Sequence, residues 1–115
     1  MITRITTEAL RAKLIADDRV VLVEALGGGF FADAHLPGAI NVPAAEVDRL
    51  APHLLPDIEA EIIVYCSRTC RSSQMVASRL EQLGYHHVVV YEGGKEDWVE
   101  HGYPVERMTT GDCRG

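Results

Sequence analysis

Little in this 115-residue chain supports a disulfide scaffold: it has only three cysteines, Cys66, Cys70 and Cys113, all in its second half. Small secreted domains held by disulfides need more than that, so reactivity or burial must account for these thiols. Metal-ligand spacing is equally thin. Cys66 and Cys70 lack a second closely spaced Cys or His pair, and His86 and His87 are adjacent rather than three to five residues apart, which speaks against zinc. Long apolar runs are absent, and Arg4, Arg11 and Lys13 are spread among polar residues near the N-terminus. Neither a signal peptide nor a membrane span is expected, and a cytoplasmic location is. Positive charge is in deficit: the formal net charge of −6 is the opposite of the basic face that nucleic acid or an anionic membrane needs. An anion bound here must be captured locally.

What is present is ordinary globular composition, 47% hydrophobic and 24% charged, in a chain of one-domain size. Residues 1–105 are expected to form that single domain, with its core over about 20–105, and 106–115 to form a C-terminal tail. Thr6 or Thr7 can cap a helix whose apolar positions Leu10, Leu14 and Ile15 run up to Asp17-Asp18. The continuous apolar runs Val20–Val23, Ile62–Tyr65 and Val88–Tyr91 have the pattern of strands buried on both faces, and Ala39–Val42 is a shorter strand after the Pro37-Gly38 turn. Helices are predicted from Ala44 to about Leu50, with Pro52 and Pro56 closing that region. They are also predicted from Ser72 to Leu83, with Val76, Leu80 and Leu83 on one face, and around Trp98. Alternating strands and helices predict an α/β sandwich around a mostly parallel sheet.

In open α/β sheets, ligands gather beyond the carboxyl ends of strands, where loops enter helix N-termini. Cys66 occupies such a place, followed by a six-residue loop to Arg71. The unpaired amides and positive dipole end of a helix favour a thiolate over a thiol, and Arg68 and Arg71 add charge of the same effect. Amides of the loop from Ser67 to Ser72 could also surround a negatively charged terminal sulfur. Cys66 as a small buried hydrophobe is the plain alternative. The preceding strand, the arginines and the Ser72-Ser73 helix start favour a nucleophile.

Several segments in order resemble the rhodanese family. His35-Leu36-Pro37-Gly38-Ala39-Ile40-Asn41-Val42-Pro43 is similar to the family's His-Ile-Pro-Gly-Ala-Ile-Asn-Ile-Pro. Tyr65-Cys66 through Arg71-Ser72 is similar to its Tyr-Cys-x-x-x-x-Arg-Ser loop. Glu92-Gly93-Gly94-x-x-x-Trp98 and Gly102-Tyr103-Pro104-Val105 are similar to its C-terminal signature. The resemblance covers about Val20 to Val105. It implies a rhodanese-like three-layer sandwich of about five mostly parallel strands flanked by helices on both faces. The activity it implies is a sulfurtransferase, in which a donor such as thiosulfate loads a sulfane sulfur onto Cys66 as a persulfide and a thiol or cyanide-like acceptor, or a sulfur-relay protein, removes it. By the same resemblance Ser67, Arg68, Thr69, Cys70 and Arg71 form the cradle, with no metal or cofactor. Related phosphatases and arsenate reductases place one more residue between Cys and Arg; the four found here favour sulfur.

The family usually carries Asp-x-Arg after its first strong strand, where this chain has Glu24-Ala25-Leu26 and then three glycines. Glu24 is expected in the acidic place, with no partner evident. Thr69 stands where glycine is frequent and restricts the loop backbone, while Cys70 adds a thiol. Cys70 could take sulfur from Cys66, resolve it as a disulfide, or be a passive loop residue. Cys113 reads as an incidental tail cysteine, His35 as a scaffold histidine, and Trp98 and Phe31 as core. His53, His86, His87 and His101 show no spacing that reads as chemistry. The competing functions are a rhodanese-like binding or sensor module without turnover, a dithiol redox protein using Cys66 and Cys70, and an arsenate reductase or phosphatase-like enzyme.

Overall fold

The computed structural model describes residues 3–16, 19–26, 34–67 and 71–107. Five parallel strands form one sheet: β1 Thr3–Ile5, β2 Val21–Glu24, β3 Ile40–Asn41, β4 Glu61–Tyr65 and β5 His87–Tyr91, in the order β1-β5-β4-β2-β3. Among the described residues four α-helices, α1 Thr7–Ala16, α2 Val47–Leu54, α3 Ser72–Gln82 and α4 Gly94–Glu100, connect or follow them, and a 3-10 turn at Ala44–Glu46 leads into α2.

The apolar runs become the three inner strands because each is buried on both faces. Along β4 the side chains alternate: Ile62 and Val64 join α2 and α3, whereas Ile63 and Tyr65 join Leu10 of α1 and Trp98 of α4. The layers are therefore α2/α3, sheet, α1/α4, the three-layer α/β arrangement expected. Cys66 continues the alternation on the α2/α3 side.

Element boundaries follow local chemistry. Thr6 caps α1, its Oγ1 accepting the Ala9 N–H at 3.2 Å. Leu36-Pro37-Gly38-Ala39 closes a turn with Gly38 at φ +80 and an Ala39 N–H to Leu36 C=O bond of 3.1 Å, the type II form that favours Pro then Gly. At the end of α3, Gly84 takes φ +104. Its N–H bonds Glu81 C=O, and the Tyr85 N–H bonds Leu80 C=O, both at 3.1 Å, in a Schellman arrangement.

Several expectations are corrected. Ile15 is 72% exposed, so α1 buries Leu10 and part of Leu14 but not the third apolar position. Leu83 lies past the end of α3 and is partly exposed rather than on its inner face. α2 runs through Pro52 to Leu54 instead of ending near Leu50. Pro52 sits on the exposed side of the helix, where the carbonyl deprived of its amide partner can be hydrated. Strand β1 was not legible from the residues themselves; it pairs with β5 at the sheet edge. The backbone of Glu106 exchanges two hydrogen bonds with that of His35 (2.8 and 2.9 Å). Among the described residues no helix is long and apolar enough to cross a membrane.

Candidate active site

The strand order creates the site. From β2 the chain moves to β3 on one side, and from β4 it moves to β5 on the other, so the adjacent carboxyl ends of β2 and β4 form a switch point where a crevice opens. Leu26 and Ser67 lie just beyond those two ends. With Ala34, Lys95 and Val99 they line a cleft of about 480 Å³, within the range of small-molecule sites. Glu96 and Glu100 of α4 complete its lining.

Cys66 is 1% exposed and belongs to the α2/α3 core cluster. Its Sγ has two described polar neighbours, the Ser67 carbonyl oxygen at 3.4 Å and the Ser73 hydroxyl at 3.5 Å. Arg71 is exposed at the head of α3, where its carbonyl accepts the N–H groups of Gln74 (3.1 Å) and Met75 (3.2 Å). The structure thus brings Cys66, Ser67 and the start of α3 together, with Arg71 at the loop's far end. Arg68, Thr69, Cys70, Phe31 and Cys113 lie outside the described residues, and so does the cradle expected from the loop amides. Among the described residues no group of three His, Cys, Asp or Glu side chains is placed to hold a metal ion.

A buried charge network braces the strand ends from the opposite face. Glu24 is fully buried at the end of β2; its Oε1 accepts the Tyr65 hydroxyl at 2.8 Å, and that hydroxyl accepts the Leu36 N–H at 3.0 Å. Burial first, and then the Glu24 charge, push the Tyr65 pKa far above the ordinary phenol value, which keeps it a neutral donor. The cation sought for Glu24 is Lys95, whose Nζ is 3.0 Å from Oε2 and also donates to the Ala34 carbonyl. Oε2 accepts no hydrogen bond of good geometry among the described residues, so Lys95 acts on it mainly as a counter-charge. The backbone N–H of Lys95 donates to the Cys66 carbonyl at 3.0 Å. One residue at the start of α4 therefore holds both β2 and the base of the cysteine loop.

Sequence reasoning missed Lys95, Asn41 and Ser73. Lys95 fell at an unspecified position of the Glu-Gly-Gly-x-x-x-Trp segment. The usable signal was an acidic residue with no cation two places on. Asn41 donates its side-chain amide to the carbonyls of Glu24 (3.1 Å) and Leu26 (2.7 Å), pinning the exit from β2. His35 is buried, paired through its backbone with Glu106, and its Nε2 is 3.6 Å from the Glu106 carboxylate, the surroundings of a scaffold residue. Trp98 is fully buried and donates Nε1–H to the Pro104 carbonyl at 2.7 Å, as expected of core.

A family model of the rhodanese-like domain matches residues 6–101. The chain belongs to the rhodanese-like family. A sulfurtransferase of Allochromatium vinosum is 29% identical over 107 residues, covering 91% of this chain and 95% of that one. The putative sulfur carrier protein YrkF of Bacillus subtilis is 28% identical over 98 residues, 85% of this chain and 51% of its own length. Among solved structures, a thiosulfate sulfurtransferase of Pseudomonas aeruginosa superposes with a TM-score of 0.82 at 28% identity. The match covers 93% of this rhodanese-like chain but only 20% of that larger protein. Membership of the family, with these relatives, supports sulfur transfer as the general chemistry.

Proposed function

We propose that this protein moves a sulfane sulfur from a donor such as thiosulfate to a thiophilic acceptor through a persulfide on Cys66, with Ser67, Arg68, Thr69, Cys70 and Arg71 as its cradle. The observation that carries this reading is the position of Cys66 at the switch point, at the end of β4 and before the N-terminus of α3. The Cys66 thiolate attacks the outer sulfur of thiosulfate, the donor's S–S bond breaks, and sulfite departs with the electron pair. An acceptor thiolate then attacks the outer sulfur of the persulfide, and the pair returns to Cys66. The cleft has small-molecule size and reaches the cysteine loop at Ser67, next to Cys66, which is not itself in the lining, and the relative named as a putative sulfur carrier supports a relay protein among the acceptors. We place the reaction in the cytoplasm, whose reducing conditions keep thiols unpaired by disulfides.

Incubation with thiosulfate is expected to give a species one sulfur atom heavier by intact mass, mapped to Cys66 and absent in Cys66→Ala. No adduct, or one that survives that replacement, rejects the reading. The near-complete burial of Cys66 favours one second reading, in which a partner opens the loop and delivers sulfur without turnover of free donors. Rapid loading by free thiosulfate would reject that version.

A further inference from the structure

α3 buries a single stripe, Ser73, Val76, Ala77 and Leu80, at the i, i+3, i+4, i+7 spacing of one helix face. Three of the four are apolar and pack in the aliphatic cluster with Val23 and Val64. The first is a hydroxyl, 4% exposed. Alanine would fill that buried position with no polar group to satisfy. Packing gives no reason for serine here. The hydroxyl faces one sulfur: Oγ lies 3.5 Å from Cys66 Sγ.

The two described polar neighbours of that sulfur are not equivalent. The Ser67 carbonyl, 3.4 Å away, only accepts, so it can hold the S–H of a thiol but opposes a thiolate. The Ser73 hydroxyl accepts or donates by rotation, and a bond given to a charged acceptor is the stronger one. Ionisation of Cys66 weakens the first contact and strengthens the second.

We propose that Ser73 takes part in the sulfur chemistry by donating its O–H to Cys66 Sγ whenever that atom carries negative charge. Before loading it selects the thiolate. After loading, the charge sits on the outer sulfur of Cys66–S–S⁻ and the hydroxyl stays beside the inner one. When an acceptor thiolate takes the outer sulfur, the S–S bond breaks and its electron pair returns to Sγ, where the O–H meets the developing charge of the leaving thiolate. Atoms and charge balance: persulfide anion and acceptor thiolate become thiolate and acceptor persulfide. The second role rests on the persulfide reading; the first does not.

The test is the pH dependence of iodoacetamide alkylation, read at Cys66 by peptide mass spectrometry so that Cys70 and Cys113 do not contribute. In Ser73→Ala the midpoint is expected to rise by about one pH unit, making alkylation at pH 7 up to about tenfold slower, with the rates converging above the midpoint. Ser73→Thr, which keeps the hydroxyl, is expected to restore the midpoint, and Ser73→Gly to behave as Ala. Persulfide discharge to a thiol acceptor should slow in Ala and Gly even at a pH where Cys66 is fully ionised. An unchanged midpoint in Ala, a uniform loss of rate at every pH, or a threonine variant as impaired as alanine would overturn the proposal. A shifted midpoint in a protein that never forms a persulfide would uphold thiolate selection by Ser73 while sinking the sulfur-transfer reading.

Discussion

Across the sheet from one another, the α2/α3 side and the α1/α4 side meet the same packing problem with different residues. The first is aliphatic: Val23, Val64 and Val90 of the strands against Val47, Ala51, Val76, Ala77 and Leu80 of the helices. The second is aromatic and polar-tipped: Tyr65, Tyr91 and Trp98 with Leu10, Leu22 and Leu36, threaded by the Tyr65-Glu24-Lys95 network and by Thr7, whose Oγ1 lies 2.6 Å from the Tyr91 hydroxyl and donates to Asp97. The sulfur is mounted on the plain side, where its described polar neighbours are Ser67 and Ser73. The groups that hold the strand ends in register are on the other. Truncation on the plain side removes contact area, whereas on the polar side it strands a partner.

The largest effect should come from splitting the buried pair. Lys95→Met leaves the Glu24 carboxylate, and Glu24→Leu leaves the ammonium, without its counter-charge, each at a cost of about 3–5 kcal/mol. Glu24→Leu with Lys95→Met should recover most of that loss in urea denaturation, because a matched apolar pair strands no charge. If the double variant is as unstable as the sum of the singles, the two groups do not act on each other and the contrast between the faces loses its main support.

Two tyrosines sharpen the comparison at smaller scale. Tyr65→Phe removes a hydroxyl that satisfies both Glu24 Oε1 and the buried Leu36 N–H, and should cost about 1–3 kcal/mol. Tyr85 packs on the aliphatic side, its hydroxyl donating to the carbonyls of Ala51 (3.2 Å) and Leu55. Tyr85→Phe should cost only about 0.5–1.5 kcal/mol, since no charge is left behind. Equal losses in thermal unfolding would erase the distinction.

The smallest effect belongs to the rim of the α1/α4 side. His101 bonds Glu8 at 3.0 Å and the Asp97 carbonyl at 2.8 Å; the backbone bond first and the Glu8 bond second raise its pKa above the ordinary 6.5. Backbone hydrogen bonding and then His101 lower Glu8 below 4.5. A raised histidine contributes fully below 6.5 and loses its effect as pH climbs through the higher folded value. A lowered carboxylate contributes above 4.5 and loses its effect as pH falls through the lower one. The stability gap between wild type and His101→Gln should therefore be widest between pH 4.5 and 6.5 and shrink on either side. A gap that is flat with pH would show that the bonds are not coupled to protonation.

The central strands and the cysteine position were legible because continuous β-branched runs and a Cys-x-x-x-x-Arg spacing are local signals. β1 was not, since three residues of mixed polarity at a sheet edge, Thr3, Arg4 and Ile5, carry no periodicity. Pro52 misdirected the end of α2 because its cost depends on which side of the helix faces water. The partner of Glu24 is 71 positions away in the chain, beyond the reach of any spacing rule. Ser73 was visible only as half of a helix-start pair; its importance emerges once the buried stripe of α3 is known.

The Glu24–Lys95 contact bears on how such chains are compared by alignment. Scored column by column against an Asp-x-Arg pattern, this sequence loses the arginine at Leu26 and gains an unrelated lysine in a distant motif. In space the Glu24 carboxylate still meets a cation, Lys95, which also lines the cleft. The requirement for a paired charge can pass from one column to another without being lost, and a search that weighs positions independently will count such a chain as more divergent than its architecture is.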